Sequence, residues 1–245
     1  MKILMMLFPS LLSLLSAAAQ TPDKPLVISH LTGEFYVYTT YGSYKGVPVP
    51  SNGMYLVTPK GVALFDTPWD STQFQPLLDS IKARHNRIVT ICISTHFHED
   101  RTAGLEYYRS KGIKTCTTKR TDELSKKRNE KRAEYLVPDD SVYAVGGHTF
   151  QTYYAGQGHS PDNIVVWFEQ EKILYGGCLV KSTEATDLGN LSDANTREWI
   201  LTIKNIQNKF KKPAFIIPGH LDWHSNQSLN HTLQLIKDYE RKKSS

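Results

Sequence analysis

His96, His98 and Asp100 occupy alternate positions of one short stretch, His96-Phe97-His98-Glu99-Asp100. Alternate residues of an extended segment point to the same side, so two imidazoles can converge on one point with a carboxylate beside them. Neutral imidazole and carboxylate are zinc donors. A zinc site that keeps an open position makes its bound water acidic enough to attack a carbonyl near neutral pH. The motif follows a β-rich run over residues 87–95, which predicts a ligand loop at a strand end.

Three further loops have this form. Gly156-Gln157-Gly158-His159 follows a strand expected over residues 149–155, Gly176-Gly177-Cys178 follows residues 172–175, and Pro218-Gly219-His220 follows residues 214–217. Small residues allow tight turns and close approach to a site. A single histidine after glycine is ordinarily structural. Four such loops, each closing a strand, point to metal ligands gathered at one sheet edge. His30, His85, His148, His224 and His231 lack this setting and receive no ligand role.

The elements that must position these loops follow from hydrophobic periodicity. Strands are expected over residues 34–41, 54–58 and 61–66, the last two joined by a turn at Pro59-Lys60-Gly61. A helix over residues 71–85 carries Phe74, Leu77, Leu78 and Ile81 on one stripe, and the strand 88–94 leads into the histidine loop. A helix over 103–111 closes at Gly112, the strand 113–117 follows, and Thr121 is the expected cap of a polar helix. A second cycle begins with strands 141–145 and 149–155 around Gly146-Gly147, then 164–168 with 172–175. An amphipathic helix over 195–210, the strand 214–217 and a helix over 228–241 complete it. Strands followed by helices, twice, predict an α+β fold: two mixed sheets packed face to face with helices outside.

Bulk properties narrow the class. Residues 1–19 read as a secretory signal peptide, with Lys2, an apolar run and Ala17-Ala18-Ala19 before the cleavage point, leaving one domain over residues 20–245. The run is too short and interrupted for a secure membrane span, so no stable membrane association is expected. Removing the leader takes one Lys and no acidic residue, moving the net charge from +5 to +4. The basic cluster at residues 126–132 is interleaved with Glu130 and holds no aromatic residue, so it reads as a solvated helix face and not a nucleic-acid surface. Three cysteines are an odd number for an exported chain. Cys92 and Cys116 read as buried small hydrophobes, with a bridge between them left open, whereas Cys178 sits at a ligand position.

The chain resembles the metallo-β-lactamase fold superfamily, and within it the class B zinc β-lactamases of the di-zinc first subclass. The matching residues are His96, His98, Asp100 and Arg101, His159-Ser160 with Asp162-Asn163, and Gly177-Cys178-Leu179-Val180-Lys181-Ser182. They continue with Leu188-Gly189-Asn190-Leu191, Pro218-Gly219-His220 and the early Asp66-Thr67-Pro68-Trp69. The glyoxalase II and RNase Z relatives place a metal-binding histidine after the aspartate, where this chain has Arg101. They also bridge their metals with an aspartate where this chain offers Cys178.

The resemblance implies a four-layer αβ/βα sandwich with a groove for two zinc ions (Zn2+) at one edge. His96, His98 and His159 would hold the first ion, and Asp100, Cys178 and His220 the second. A metal-bound hydroxide would attack the β-lactam amide of penicillins, cephalosporins and carbapenems, with Asp100 orienting it and Asn190 stabilising the carbonyl oxygen. Lys181 would pair with the substrate carboxylate. Arg101 would brace Cys178 and Asp100, and residues 41–50 would form a flap over the substrate. The expected protein is a periplasmic monomer conferring antibiotic resistance. The alternatives are an exported metallohydrolase of the same fold acting on another ester, lactone or thioester, and a zinc protein without catalysis. Ser160 and Ser182 have no GxSxG or SxxK setting, so no serine nucleophile is expected.

Overall fold

Alternation along the strands sends successive side chains to opposite faces, and the computed structural model, which describes residues 26–244, buries both faces. Seven strands form one sheet in chain order: β1 (Val27–Thr32), β2 (Phe35–Tyr44), β3 (Val47–Thr58), β4 (Gly61–Phe65), β5 (Val89–Ile93), β6 (Lys114–Thr118) and β7 (Tyr135–Val137). The pairs are antiparallel up to β4 and parallel from β4 to β7. The second sheet contains β8 (Ser141–Val145), β9 (His148–Tyr153), β10 (Val165–Phe168), β11 (Ile173–Gly177) and β12 (Phe215–Pro218), in the order β12-β11-β10-β9-β8. Only β11 and β12 run parallel there.

Both sheets turn one apolar face toward the other. Phe35, Val37, Ala63, Phe65 and Ile93 of the first meet Val166, Phe168, Ile173 and Tyr175 of the second in a shared core. The intervening residues face outward. Tyr38, Tyr55, Leu64 and Cys92 pack under α1 (Phe74–His85) and α3 (Leu105–Ser110). Val165, Trp167 and Leu174 pack under α5 (Thr196–Lys209) and α6 (Ser228–Ser244), which contribute Trp199, Ile203, Ile206 and Ile236. These are the two facing sheets with helices outside that the patterning predicts, and the four-layer sandwich that the resemblance implies. Among the described residues no helix is long and apolar enough to cross a membrane. The expected leader lies outside the described residues.

Cys92 lies under the helices and Cys116 in the shared core, on opposite faces of the same sheet. All three cysteines are free, so the Cys92–Cys116 bridge left open by the sequence is not formed.

Two local expectations need correction. The polar helix α4 (Lys119–Arg128) starts earlier than Thr121: Thr118 is its cap, its Oγ1 accepting the Thr121 amide at 3.2 Å. The helix expected over 103–111 is shorter, α3 (Leu105–Ser110), and is not the first in this segment. A single turn, α2 (Glu99–Thr102), comes first, and Gly104 then packs on Thr67, whose Oγ1 accepts the Gly104 amide at 3.0 Å. Strands β1 and β7 were not anticipated. β7 has three residues, and β1 has no buried residue to give it a clear pattern.

Candidate metal centre

The ligand-type side chains all lie where strands end along one edge of the sandwich. His96, His98 and Asp100 follow β5, His159 lies between β9 and β10, Cys178 follows β11, and His220 follows β12. β5 ends in bends and the helical turn α2. Hydroxyls fix that turn: Ser94 Oγ donates to the Arg101 carbonyl at 2.7 Å, and Thr102 Oγ1 donates to the Phe97 carbonyl at 3.2 Å.

Two half-sites result. His98 Nδ1 lies 3.1 Å from His96 Nε2 and 3.0 Å from His159 Nε2. His220 Nε2 lies 3.2 Å from Cys178 Sγ and 3.1 Å from Asp100 Oδ2, and the sulfur and carboxylate are 3.2 Å apart. His96 also comes within 4.8 Å of the Asp100 and Cys178 ligand atoms, joining the halves. His30, His85, His148, His224 and His231 contact other partners and join neither half.

The donors fit zinc. Burial holds His96 and His159 well below the ordinary imidazole range, so both rings are neutral. A cation at the point where the three ring nitrogens converge can accept a lone pair from each. In the other half, burial opposes the Asp100 carboxylate, but Arg101 and His220 outweigh it and hold it well below the usual range. Carboxylate, sulfur and imidazole together suit the same ion.

Arg101 occupies the space behind this half and is fully buried. Its Nε donates to Cys178 Sγ at 3.2 Å, Nη1 to the Asn52 carbonyl at 2.7 Å and Nη2 to the Gly219 carbonyl at 2.8 Å. The guanidinium also reaches Asp100 at 3.1 Å and Asp66 at 3.6 Å. Asp66 has a left-handed φ of 64°, held by the Thr95 amide at 2.7 Å and the Tyr175 hydroxyl at 2.6 Å. Burial raises its carboxyl to about 6 while Arg101 pulls it down. Gly219 is required at its position, because a Cβ there would lie 2.8 Å from both Cys178 Sγ and Arg101 Nη2.

Each histidine bond on the side away from the cluster matters for aim. His98 Nε2 donates to Asp193 Oδ2 at 3.2 Å, and Arg128 at the end of α4 pairs with the other Asp193 oxygen. His220 Nδ1 donates to the Pro50 carbonyl at 2.8 Å. Sequence reasoning missed Asp193 and Pro50, and it treated Arg128 as part of a solvated face. Asp193 lies three residues beyond Asn190, but no local pattern marks it.

The half-sites open into a cavity of about 640 Å³ whose walls include Tyr44, Trp69, Lys181, Asn190 and His220. Burial lowers the Lys181 ammonium from its ordinary value, and Cys178 and Asp100 oppose the fall. Asn190 Oδ1 accepts the Ser192 amide at 3.1 Å, which turns the side-chain NH₂ into the donor left for other use. Residues 41–50 are a hairpin extending β2 and β3, with Lys45 and Gly46 at positive φ in its two-residue turn.

A family model described as the metallo-beta-lactamase superfamily matches residues 46–220. The chain is 42% identical over 223 residues to metallo-beta-lactamase type 2 of Elizabethkingia meningoseptica, covering 91% of this chain and 89% of that protein. It is 42% identical over 224 residues to metallo-beta-lactamase IND-1 of Chryseobacterium indologenes, covering 91% and 94%. Among solved structures, a metallo-beta-lactamase from Pontibacter korlensis superimposes with a TM-score of 0.84 at 34% identity, covering 87% of this chain and all of that one. With its two-sheet sandwich, its edge cluster of zinc donors and these likenesses along most of its length, the chain belongs to the metallo-β-lactamase superfamily.

Proposed function

We propose that this protein is an exported, periplasmic zinc enzyme that hydrolyses the β-lactam amide of penicillins, cephalosporins and carbapenems, conferring resistance to them. The observation carrying this reading is the shared cavity: four of the six proposed zinc donors, His98, Asp100, His159 and His220, line the same space as Lys181 and Asn190. His96, His98 and His159 would hold one ion, and Asp100, Cys178 and His220 the second. Zinc bound there supplies Lewis acidity, polarising a carbonyl and making water reactive near neutral pH.

Hydrolysis adds water across the amide, its oxygen going to the carbonyl carbon and a proton to the ring nitrogen. Asp100 is the carboxylate placed to orient the attacking water. Asn190 donates its side-chain N–H to the carbonyl oxygen as that atom gains charge, a bond that strengthens toward the transition state. Lys181 Nζ pairs with the carboxylate that β-lactam drugs carry beside the ring nitrogen. Tyr44 and Trp69 cover the substrate's apolar surface and exclude water.

The test is a substrate panel. Zinc-loaded protein is expected to open penicillin, cephalosporin and carbapenem rings and to leave simple esters, lactones and thioesters untouched. Turnover of the latter group alone would contradict the assignment. Lys181→Met is expected to raise KM for carboxylate-bearing drugs by about 10-fold or more with a smaller change in kcat, because it removes a charge-assisted contact present from binding onward.

A further inference from the structure

The base of the flap carries more than a covering role. At the rung Tyr41–Pro50 of the β2–β3 ribbon, the backbone groups point away from each other, and each edge has a side-chain partner. On the outer edge, Gln73 makes both hydrogen bonds to Tyr41. The Tyr41 amide donates to Gln73 Oε1 at 3.0 Å, and Gln73 Nε2 donates to the Tyr41 carbonyl at 2.8 Å. The described pairing with β1 ends at Thr39, so the buried Gln73 carboxamide stands where the next strand residue would. On the inner edge, the Pro50 carbonyl accepts the Nδ1 proton of His220 at 2.8 Å. Proline has no amide proton, which suits a rung without cross-strand bonds.

A second contact runs parallel to this one. Gly42 lies against the Trp69 indole, where a Cβ would come within 2.2 Å of the ring. The same indole stands edge-on to the His220 ring, with centroids 6.4 Å apart. Beyond Gly42 the ribbon is a two-stranded hairpin, a structure with little stability of its own. Its order therefore depends on the rung and the indole at its base, and both touch His220.

We propose that the Tyr41–Pro50 rung couples the flap to the Cys178–His220 half of the metal centre, with Gln73 as the positioning residue that holds the rung from its far edge. The proposal rests on the reading of His220 as a zinc ligand. Fixing His220 Nε2 on a metal fixes Nδ1, and with it the Pro50 carbonyl and the root of the flap. Binding linkage is reciprocal, so a flap ordered by other means raises the affinity of that half for metal. Occupancy of this half then sets how well the flap covers a substrate.

Cobalt(II) reports this half through the charge-transfer band of its bond to Cys178. Hydrogen exchange of peptides covering residues 42–47, followed during cobalt and zinc titrations, is expected to slow by about fivefold or more in step with that band. Gln73→Ala is expected to remove most of the slowing and weaken metal binding in this half by about fivefold, leaving the three-histidine half unchanged. Gln73→Glu keeps one of the two bonds and is expected to fall between. Flap exchange indifferent to the thiolate band would overturn the proposal, and so would Gln73→Ala with undiminished affinity in this half. Wild-type exchange decides the matter if Gln73→Ala does not fold. A metal-responsive flap without β-lactam turnover would support the coupling and remove the substrate assignment alone.

Discussion

Arg101 shows how one side chain serves both fold and site. Its planar guanidinium meets the Asn52 and Gly219 carbonyls, Cys178, Asp100 and Asp66 together, so the fork geometry itself is used. Lysine offers a single ammonium and leaves several of these acceptors unpaired. Arg101→Lys is expected to cost about 3 kcal/mol by thermal unfolding of the metal-free protein, and to weaken metal binding beside Cys178. Unchanged melting would mean that the buried contacts matter less than their geometry indicates. At the three-histidine half, Asp193 plays the corresponding part toward His98, with Arg128 holding it. Asp193→Asn is expected to weaken zinc there by about 10-fold or more, read by chelator competition, while melting of the metal-free protein stays within about 0.5 kcal/mol of wild type.

At the scale of elements, the sequence patterns were legible wherever burial was two-sided or a turn had its own chemistry. Gly146-Gly147 marked the β8–β9 hairpin, and both glycines take positive φ. On α1, Phe74, Leu77 and Ile81 of the expected stripe are buried, and Leu78 is half-buried. The start of α4 was misplaced because Thr118 and Thr121 are both plausible caps, and only the hydrogen bond distinguishes them. Thr118→Ala is therefore expected to cost about 1 kcal/mol of stability, measured by chemical denaturation. Since α4 ends at Arg128, loosening it is also expected to lower zinc affinity at His98 slightly.

For the whole molecule, the sandwich brings strand ends from both sheets to one edge, and a short seam ties them. The Asn52 amide donates to the Gly219 carbonyl at 2.8 Å, and Ser51 bridges to His220. All the proposed ligands could be singled out in the sequence because each follows a strand through a short local signature. Their supports could not. Asp193, Pro50 and Gln73 act across long separations, and none has a local pattern that marks it. Arg101, one residue past the histidine motif, fills the space behind Cys178 and Asp100.

Together the two half-sites are proposed to make a zinc β-lactam hydrolase. Carbapenem hydrolysis by the purified protein, followed in the ultraviolet while bound zinc is counted, tests this function. Turnover is expected to rise with zinc up to two ions per chain, to disappear with a chelator and to return when zinc is restored. Protein carrying two zinc ions and opening no β-lactam ring would contradict it.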